Sequence, residues 1–490
     1  MRRIILGALS FSVSAAAGAN GLLDAYKLAQ EQDQTFQAAL HARDASIEAR
    51  PQAWAALLPQ LTATAEWQRI RSHQLSGNFS SSVGNIESGR EYYSERSFTL
   101  NLSQTLFDWS AFQAVAQSDK TVAEAEATYR SAEQSLILRT AQAYFNVLSA
   151  RDTLRADLDA QASYKQQLDE NQKKFQVGLA AITDVRNAQA SYDTSTALVI
   201  SDRAALDNAR RALGLIVGQP VDAIADLQQD IPLVAPNPVP AEAWSKAASQ
   251  DNPDLMSSYY ASEVARKQVA IYEGQYLPTL SAGGQFNRAT QHAQSNDDSL
   301  TDSIGVTATW NIFQGGLVTS QVRQAKASYQ QTLANYELQR RTADQNARND
   351  FEGVMSGIAG IKANKQAVLS NQTSLDATKV GLRVGTRTEI DVLNAQQALA
   401  SAQKSYYQSR YTYLDSLLAL KQDAGRLNES DLAEIDGYVV ATATASPPLS
   451  PAEMNIPEAP AAAVQSSTAP AAPAAPGPSP TPAPALKQPQ

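Results

Sequence analysis

The 490-residue chain contains no cysteine, only three histidines, and few prolines outside its last segment. Without thiols it cannot form disulfides, thiolate metal sites or iron–sulfur clusters, and it has no cysteine nucleophile. Of the 22 prolines, 13 lie in residues 447–490, which leaves nine for the preceding 446 residues. A chain so poor in proline can consist largely of uninterrupted helix.

Basic charge and long apolar runs are also scarce. The 40 Lys and Arg residues are outnumbered by 49 Asp and Glu, which gives a net charge of −9 and argues against a nucleic-acid partner. After the first 20 residues no run approaches the ~18 apolar residues of a membrane-spanning helix. No Ser/His/Asp set, metalloprotease motif or phosphate loop is present, so we predict no enzyme, no catalytic residues, no metal and no cofactor.

Residues 1–19 have the pattern of a secretory signal peptide. Arg2 and Arg3 are followed by a short apolar stretch at 4–13 and by small residues at 15–19 that offer a cleavage site. The alternative is a membrane anchor, but the apolar stretch falls short of the ~20 residues needed to cross a bilayer. We therefore expect an exported protein.

The last segment, residues 446–490, is rich in proline, alanine and serine and lacks aromatic residues. It has little to bury in a core, so a disordered or polyproline-like tail is expected. No chemistry is assigned to it.

The sequence contains an internal repeat of one module. Leu58-Pro59 recurs as Leu277-Pro278, and Val177-Gly178 recurs as Val384-Gly385. The two offsets differ by twelve residues, and the difference falls in polar loops, which tolerate length changes. The predicted units are a first repeat at 20–218, a linker at 219–240, a second repeat at 241–425 and a further segment at 426–445.

Each repeat is expected to place a strand pair before two long helices. The predicted strands lie at about 58–70, 96–107, 277–288 and 303–313, and the predicted helices at about 110–175, 182–217, 315–382 and 387–424. The helix prediction rests on apolar residues at every seventh position, the pattern of coiled coils: Val185, Tyr192, Val199, Leu206 and Leu213, and in the second copy Val392, Leu399, Tyr406, Tyr413 and Leu420.

The strand prediction rests on alternation. Leu61, Ala63, Ala65 and Trp67 share one face, while the residues between them are polar. A soluble sheet that packs on a core also alternates apolar and polar residues. Here the strands are ~10 residues long, carry aromatic residues near their ends and have a polar opposite face, which favours a membrane β-barrel. Four strands cannot close a barrel, because the smallest have eight. Three chains would supply twelve.

The duplicated module resembles the TolC family of outer-membrane efflux proteins, in the branch linked to type I secretion. The local similarity is close in Phe175–Val185 and Val384–Asn394, and the resemblance covers residues 22–436. It implies an α+β, mostly α, fold: a trimeric 12-stranded transmembrane β-barrel continued by a long α-helical coiled-coil tunnel in the periplasm. An equatorial belt would use residues 219–240 and 426–445.

The function that the resemblance implies is an outer-membrane exit duct of a tripartite efflux pump or type I secretion system. The implied partners are two further copies of the chain, a periplasmic adaptor protein, an inner-membrane transporter of the ABC or RND type, and outer-membrane lipid. The alternative is a non-conducting trimeric coiled-coil structural protein or adhesin of the envelope. An adhesin would carry one barrel module at a chain end, whereas these strand pairs lie symmetrically between long helices.

The resemblance also implies a gate at the periplasmic tip of the tunnel. Asp391 matches a position where family members carry a ring of aspartates, and Asn394 occupies the second ring position, which is normally another aspartate. An aspartate on a helix is more often ordinary surface. Here Asp391 adjoins the seam residue Val392, and its repeat partner Asp184 is also an aspartate.

A lock between neighbouring helices is implied at Arg387, Thr183 and Asp184. An aromatic residue of that lock is replaced by Leu382, which suggests a different latch. For Arg387 the alternative is a surface charge after the Gly385 turn.

Tryptophans Trp54, Trp67 and Trp310 are predicted to form an aromatic girdle at the membrane surface, because tryptophan is enriched there. The alternative is that they are ordinary packing residues.

Overall fold

The computed structural model describes residues 21–73, 90–221, 224–228, 230–292 and 296–440. The predicted signal peptide at 1–19 and the predicted tail at 446–490 lie outside the described residues. Within the described part of the chain, no helix is both long enough and apolar enough to span a membrane.

The first repeat begins with three short helices, continues through two strands and ends in two long helices. Pro51 lies in the first turn of the third helix, where a missing N–H is tolerated. The elements are α1 (Leu22–Gln32), α2 (Gln34–Ile47), α3 (Ala49–Ala55), β1 (Gln60–His73), β2 (Arg90–Phe107), α4 (Trp109–Gln176) and α5 (Ile182–Val217).

The second repeat follows the same order after a linker that contains a two-residue strand. The elements are β3 (Asp226–Leu227), α6 (Ala241–Asp251), α7 (Pro253–Gly274), β4 (Thr279–His292), β5 (Asn296–Thr309), α8 (Leu317–Arg383), α9 (Glu389–Asp423), α10 (Glu429–Asp436) and β6 (Val439–Val440). The repeat seen in the sequence is therefore a repeat of structure.

Helices α4 and α8, with 68 and 67 residues, would each extend roughly 100 Å at 1.5 Å per residue. The Asp108 side chain begins α4 by accepting a hydrogen bond from the N–H of Ala111 at 3.2 Å. Two residues after each helix ends, the chain has a glycine with positive φ, Gly178 at 77° and Gly385 at 78°, a conformation that favours glycine. Each long helix thus turns sharply into the next.

The seven-residue apolar seam is buried where the long helices meet. Leu213 of α5 and Leu420 of α9 are fully buried in the same core, together with Leu148 of α4. Burial of a leucine side chain contributes about 1.5–3 kcal/mol. The seam therefore contributes to the apolar contact between the long helices.

The four long strands form one antiparallel sheet in the order β1-β2-β4-β5, with β1 and β5 outermost. The polar face of the sheet carries its own hydrogen bonds between strands. The Thr99 hydroxyl donates to the Asn287 side chain at 3.2 Å, and the Gln68 amide donates to Glu95 at 2.9 Å. The alternation read from the sequence therefore separates an apolar face from a polar one.

Strand β5 differs from the sequence prediction at both ends. It begins at Asn296 rather than near 303, because it pairs with β4 along the whole of that strand. It ends at Thr309 rather than near 313, because Thr279, its last partner, follows Pro278, which cannot donate to the ladder. The next residue, Trp310, turns its indole N–H to the Tyr276 carbonyl at 3.0 Å.

The linker and the end of the described chain meet beside α9. Strands β3 and β6 pair antiparallel, with Leu227 opposite Val439. Arg410 of α9 is 2% exposed and donates to the Gln228 carbonyl. The two segments that the sequence analysis assigned to a belt are therefore in contact.

Candidate functional site

The two helical hairpins, α4–α5 and α8–α9, end in equivalent turns at the far end of the long helices from the sheet. Asp184 and Asp391 occupy the same place in these turns, the third residue of the helix that follows. The structure therefore brings the duplicated aspartates to corresponding positions.

Asp391 caps the start of α9. Its carboxylate accepts from the backbone N–H and from the hydroxyl of Thr388, both at 2.9 Å, while the Asp391 N–H donates to the Thr388 hydroxyl at 3.3 Å. This reciprocal arrangement is a capping box. The Thr388 N–H and hydroxyl hold the pKa of Asp391 below its usual value, so the group stays charged.

Asp184 makes the corresponding contact in the first repeat, where its carboxylate accepts from the Ala181 N–H at 3.2 Å. Ala181 has no hydroxyl, so only half of the capping box forms. Helix capping by itself accounts for an aspartate at this position in each repeat. The role of Asp391 as a gate stays a prediction.

Within the described chain, no hydrogen bond or ion pair joins the residues of the predicted lock to one another. Arg387 and Asp184 line one cleft between the hairpin ends, and Thr183 is exposed beside it. Arg387 packs its side chain on Gly381, where a Cβ atom would lie 2.7 Å from the Arg387 Cγ. Within the described chain Arg387 has no ion-pair partner. A lock through Arg387 stays a prediction and would need a group from another copy.

A contact that the sequence analysis missed joins the hairpins at this point. Glu389, the first residue of α9, is only 8% exposed. It accepts from the Gln167 amide at 2.5 Å and pairs with Lys174 at 3.3 Å, both on α4. An acid at a helix N-terminus is a common sequence signal, but nothing in the sequence marks this one as buried.

Leu382 and Asn394 differ in their surroundings. Leu382 packs against a small apolar cluster formed by Leu375, Val392 and Leu399. Asn394 is exposed. The residue that replaces the aromatic of the implied lock therefore acts as an apolar contact between α8 and α9.

Further along the hairpins, a buried and a half-buried acid lie beside one lysine. Asp157 of α4 is 3% exposed, and Lys404 of α9 contacts its two carboxylate oxygens at 2.9 and 3.2 Å. Burial, and then the neighbouring Asp157, raise the pKa of Asp202 on α5 to about 7. Three helices thus meet at a cluster with two acids and one base.

The three tryptophans do not lie at one level of the sheet. Trp67 and Trp310 are on the same apolar face, but Trp67 is in register with Asp298 of β5, twelve residues from Trp310. That separation is about 40 Å along the strand. Trp54 is exposed on α3, at the end of the sheet where the strands join the helices. A girdle would therefore be two belts, with Trp67 in one and Trp54 and Trp310 in the other.

The apolar face has a stepped boundary toward the end of the sheet remote from the helices. Going outward along each strand, the first charged residue on this face is Arg69 on β1, Arg96 on β2, Arg288 on β4 and Asp302 on β5. From β1 to β5, the first charged residue of each strand lies two residues nearer the helices than the residue paired with the first charge of the preceding strand. One charge boundary therefore crosses all four strands obliquely.

An aromatic line follows this boundary on its apolar side. Trp67, Phe98 and Phe286 each lie two residues inside the first charge of their strand and are exposed. Aromatic residues next to a charged boundary are typical of the surface of a membrane. Sequence periodicity located the residues, but only the strand register shows the line.

Comparison with known proteins identifies the family. A family model described as outer membrane efflux protein matches residues 25–219 and 244–426. The chain belongs to this family. It is 32% identical over 487 residues to the outer membrane protein TolC of Escherichia coli, covering 95% of this chain and 96% of the relative. It is also 32% identical over 450 residues to the alkaline protease secretion protein AprF of Pseudomonas aeruginosa, covering 88% and 90%.

Solved structures support the fold of this family member. The CmeC outer membrane channel of Campylobacter jejuni superposes with a TM-score of 0.70 at 20% identity, over 85% of this chain and 89% of that one. The resemblance to the TolC family is confirmed, as is the outer-membrane location. The protein is an exit duct for efflux and type I secretion, in a family of channels rather than enzymes.

Proposed function

We propose that three copies of the chain close a 12-stranded barrel in the outer membrane. The observation that carries this is a four-stranded sheet with one apolar face, one polar face and two outer strands, β1 and β5. Hydrocarbon does not tolerate unpaired backbone groups, so such edges must be paired inside a bilayer. Four strands are too few to close on themselves, and three copies supply twelve.

The stepped charge boundary supports this barrel. Two residues span about 6.6 Å along a strand, and neighbouring strands lie about 4.8 Å apart. A membrane surface that crosses the sheet along the steps therefore meets strands tilted by roughly 50° from the barrel axis, slightly more than the ~35–45° of typical membrane barrels. Tilted strands are what closure requires.

The long helices α4, α5, α8 and α9 would continue the barrel as a tunnel of twelve helices. Their buried seven-residue seams favour coiled-coil packing. At roughly 100 Å the longest helices would carry the tunnel deep into the periplasm. Solutes would pass through without chemistry, along a polar barrel interior lined by residues such as Thr99 and Asn287.

The gate of this duct would lie at the hairpin tips. Three Asp391 carboxylates near the axis would make the resting pore cation-selective, since rings of acidic side chains attract cations. The Glu389 contact with Lys174 would hold α9 against α4 in the closed state. Opening would move the α8–α9 hairpin outward and separate this pair.

The partners would be a periplasmic adaptor and an inner-membrane transporter of the ABC or RND type, which supplies the energy. One relative is named for secretion of an alkaline protease, which makes a secreted protein one candidate cargo of this chain. The competing hypothesis of a non-conducting adhesin is not favoured by the efflux and secretion relatives.

Planar-bilayer recording of the purified protein tests the proposal. A closed trimer should give discrete conductance steps, and in mild detergent it should migrate as an oligomer that heating dissociates. A stable monomer that inserts and conducts would contradict the shared barrel. An oligomer that inserts and never conducts would contradict the duct.

A further inference from the structure

The arginines of the sheet whose side chains the structure describes share one face. Among the strand residues whose side chains the structure describes, the arginines are Arg69, Arg71, Arg96 and Arg288, and each is exposed on the apolar face. The opposite face carries the acids Glu66 and Glu95. This segregation places positive charge at the rim of the lipid-facing surface.

Three of these arginines are consecutive diagonal neighbours. Arg96 lies two residues from the partner of Arg69 on β2, and Arg288 lies two residues from the partner of Arg96 on β4. Diagonal neighbours are about 7–8 Å apart at Cα, within reach of long side chains. The three guanidinium groups can therefore face one polyanionic group.

Acidic residues on the same face lie to one side of this row. Asp298 and Asp302 are both on β5, diagonal to Arg288. Arg96 on β2 and Arg69 on β1 lie one and two strands further away. Among the described residues, no ion pair joins Arg69, Arg96 or Arg288 to an acid, so the row keeps a positive excess.

The position of the row indicates what the arginines bind. A charged side chain beside hydrocarbon is unfavourable unless it finds a partner or reaches the interface. The row lies just beyond Trp67 and Phe98, at the end of the sheet remote from the helices. With the helices in the periplasm, that end is the outer leaflet, where the anions at this depth are lipid phosphates.

We propose that Arg69, Arg96 and Arg288 bind the phosphate groups of a phosphorylated lipid in the outer leaflet of the outer membrane. Arginine suits this role because its planar fork donates two hydrogen bonds to one phosphate. The inference rests on the proposed barrel, which puts the apolar face in lipid. The competing explanation is that these arginines extend toward water and bind no lipid.

Native mass spectrometry of the full-length trimer tests the site, with bisphosphorylated lipid A, monophosphorylated lipid A and phosphatidylethanolamine as probes. The wild type should retain bisphosphorylated lipid A at least tenfold better than phosphatidylethanolamine, with the monophosphorylated form between them. The variant Arg69→Gln/Arg96→Gln/Arg288→Gln should lose most of this preference. The matched control Arg130→Gln/Arg323→Gln/Arg341→Gln removes three exposed helix arginines and should keep it.

A lysine variant separates a built site from general charge attraction. Arg69→Lys/Arg96→Lys/Arg288→Lys keeps the charge and should assemble as the wild type does. It should retain bisphosphorylated lipid A several-fold less than the wild type, because lysine lacks the fork. Equal retention by the wild type and the lysine variant would overturn the proposal.

Conductance measured on the same samples separates this inference from the proposed function. The expected result is a conducting trimer in all variants, with lipid retention changed only in those of the arginine row. A wild-type trimer that conducts but retains all three lipids equally would overturn the lipid site alone. A wild type that neither assembles nor conducts would overturn the proposed function.

Discussion

At the residue scale, the capping role of Asp391 can be separated from the gate role proposed for it. Its carboxylate completes a capping box with Thr388, which accounts for the residue without any gate. The same carboxylate keeps a charge, because Thr388 holds its pKa below the usual value. A simple alanine substitution removes the cap and the charge together, so the test needs substitutions that remove one at a time.

Asp391→Asn should lower cation selectivity while leaving the helix start intact, because the amide oxygen still accepts from the Thr388 N–H. Thr388→Ala is the matched control: it should cost about 1 kcal/mol at the helix end and leave the charge in place. Reversal potentials across a KCl gradient measure the difference. Wild-type selectivity should also persist at pH 5, because the pKa of Asp391 is lowered. Unchanged selectivity in Asp391→Asn would make the residue an ordinary cap.

The buried Glu389 gives a second test at the tip. Glu389→Gln should weaken the contact with Lys174 and raise the resting conductance several-fold, without changing the yield of trimer. Arg387→Ser should do the same only if Arg387 bonds to a neighbouring copy, since it has no ion-pair partner in the described chain. Single-channel recording distinguishes the two variants. A Glu389→Gln variant with the same resting conductance as the wild type would show that the Glu389–Lys174 contact does not hold the channel closed.

At the scale of elements, the long helices carry a pH-sensitive contact. Asp202 of α5 faces Asp157 of α4, with Lys404 of α9 opposite, and burial is the main reason that the pKa of Asp202 rises to about 7. In an unfolded chain an aspartate has a pKa near 3.9. Between about pH 4 and 7 the folded protein therefore binds more protons than the unfolded one, and the free energy of unfolding falls as pH rises through this window.

Asp202→Asn should remove this pH dependence. Its thermal midpoint should lie above that of the wild type at pH 8, where the wild-type carboxylate is charged and half-buried, and close to it at pH 5. Asp207→Asn, an exposed position on the same helix, is the control and should follow the wild type at both pH values. Thermal unfolding of the trimer in detergent, followed by circular dichroism, measures both. A wild type that is more stable at pH 8 than at pH 5, with Asp202→Asn following it, would contradict the assignment.

The sequence predicted elements better than it predicted contacts. Periods of two and seven residues located the strands and long helices because they depend only on which residues share a face. The Glu389–Lys174 pair could not be predicted, because it depends on how α9 is rotated and shifted against α4. The charge boundary was equally hidden: Arg69 and Arg288 are 219 residues apart in sequence, and only the register of three strands places them on one line.

At the scale of the whole molecule, the proposed barrel depends on the junction between β5 of one copy and β1 of the next. Within one chain, β1 and β5 are separated by two strands, about 14 Å at ~4.8 Å per step. The charge boundary shifts by two residues from each strand to the next. If the same shift holds between β5 of one copy and β1 of the next, Glu66 lies opposite Thr307 of the neighbouring copy. The absence of cysteine from the chain allows this register to be tested with introduced pairs.

Disulfide formation in the double variant Glu66→Cys/Thr307→Cys is the most direct measurement. Disulfides need Cα atoms about 4.4–6.8 Å apart, which excludes a bond between these strands within one chain. The account predicts covalent trimers on an unreduced denaturing gel, monomers after reduction, and retained conductance. The control Glu66→Cys/Ser303→Cys, four residues out of register on the same face, should stay monomeric on the unreduced gel. Conducting protein that gives only monomers in the Glu66/Thr307 pair, or equal cross-linking in both pairs, would contradict the closed three-copy barrel in this register.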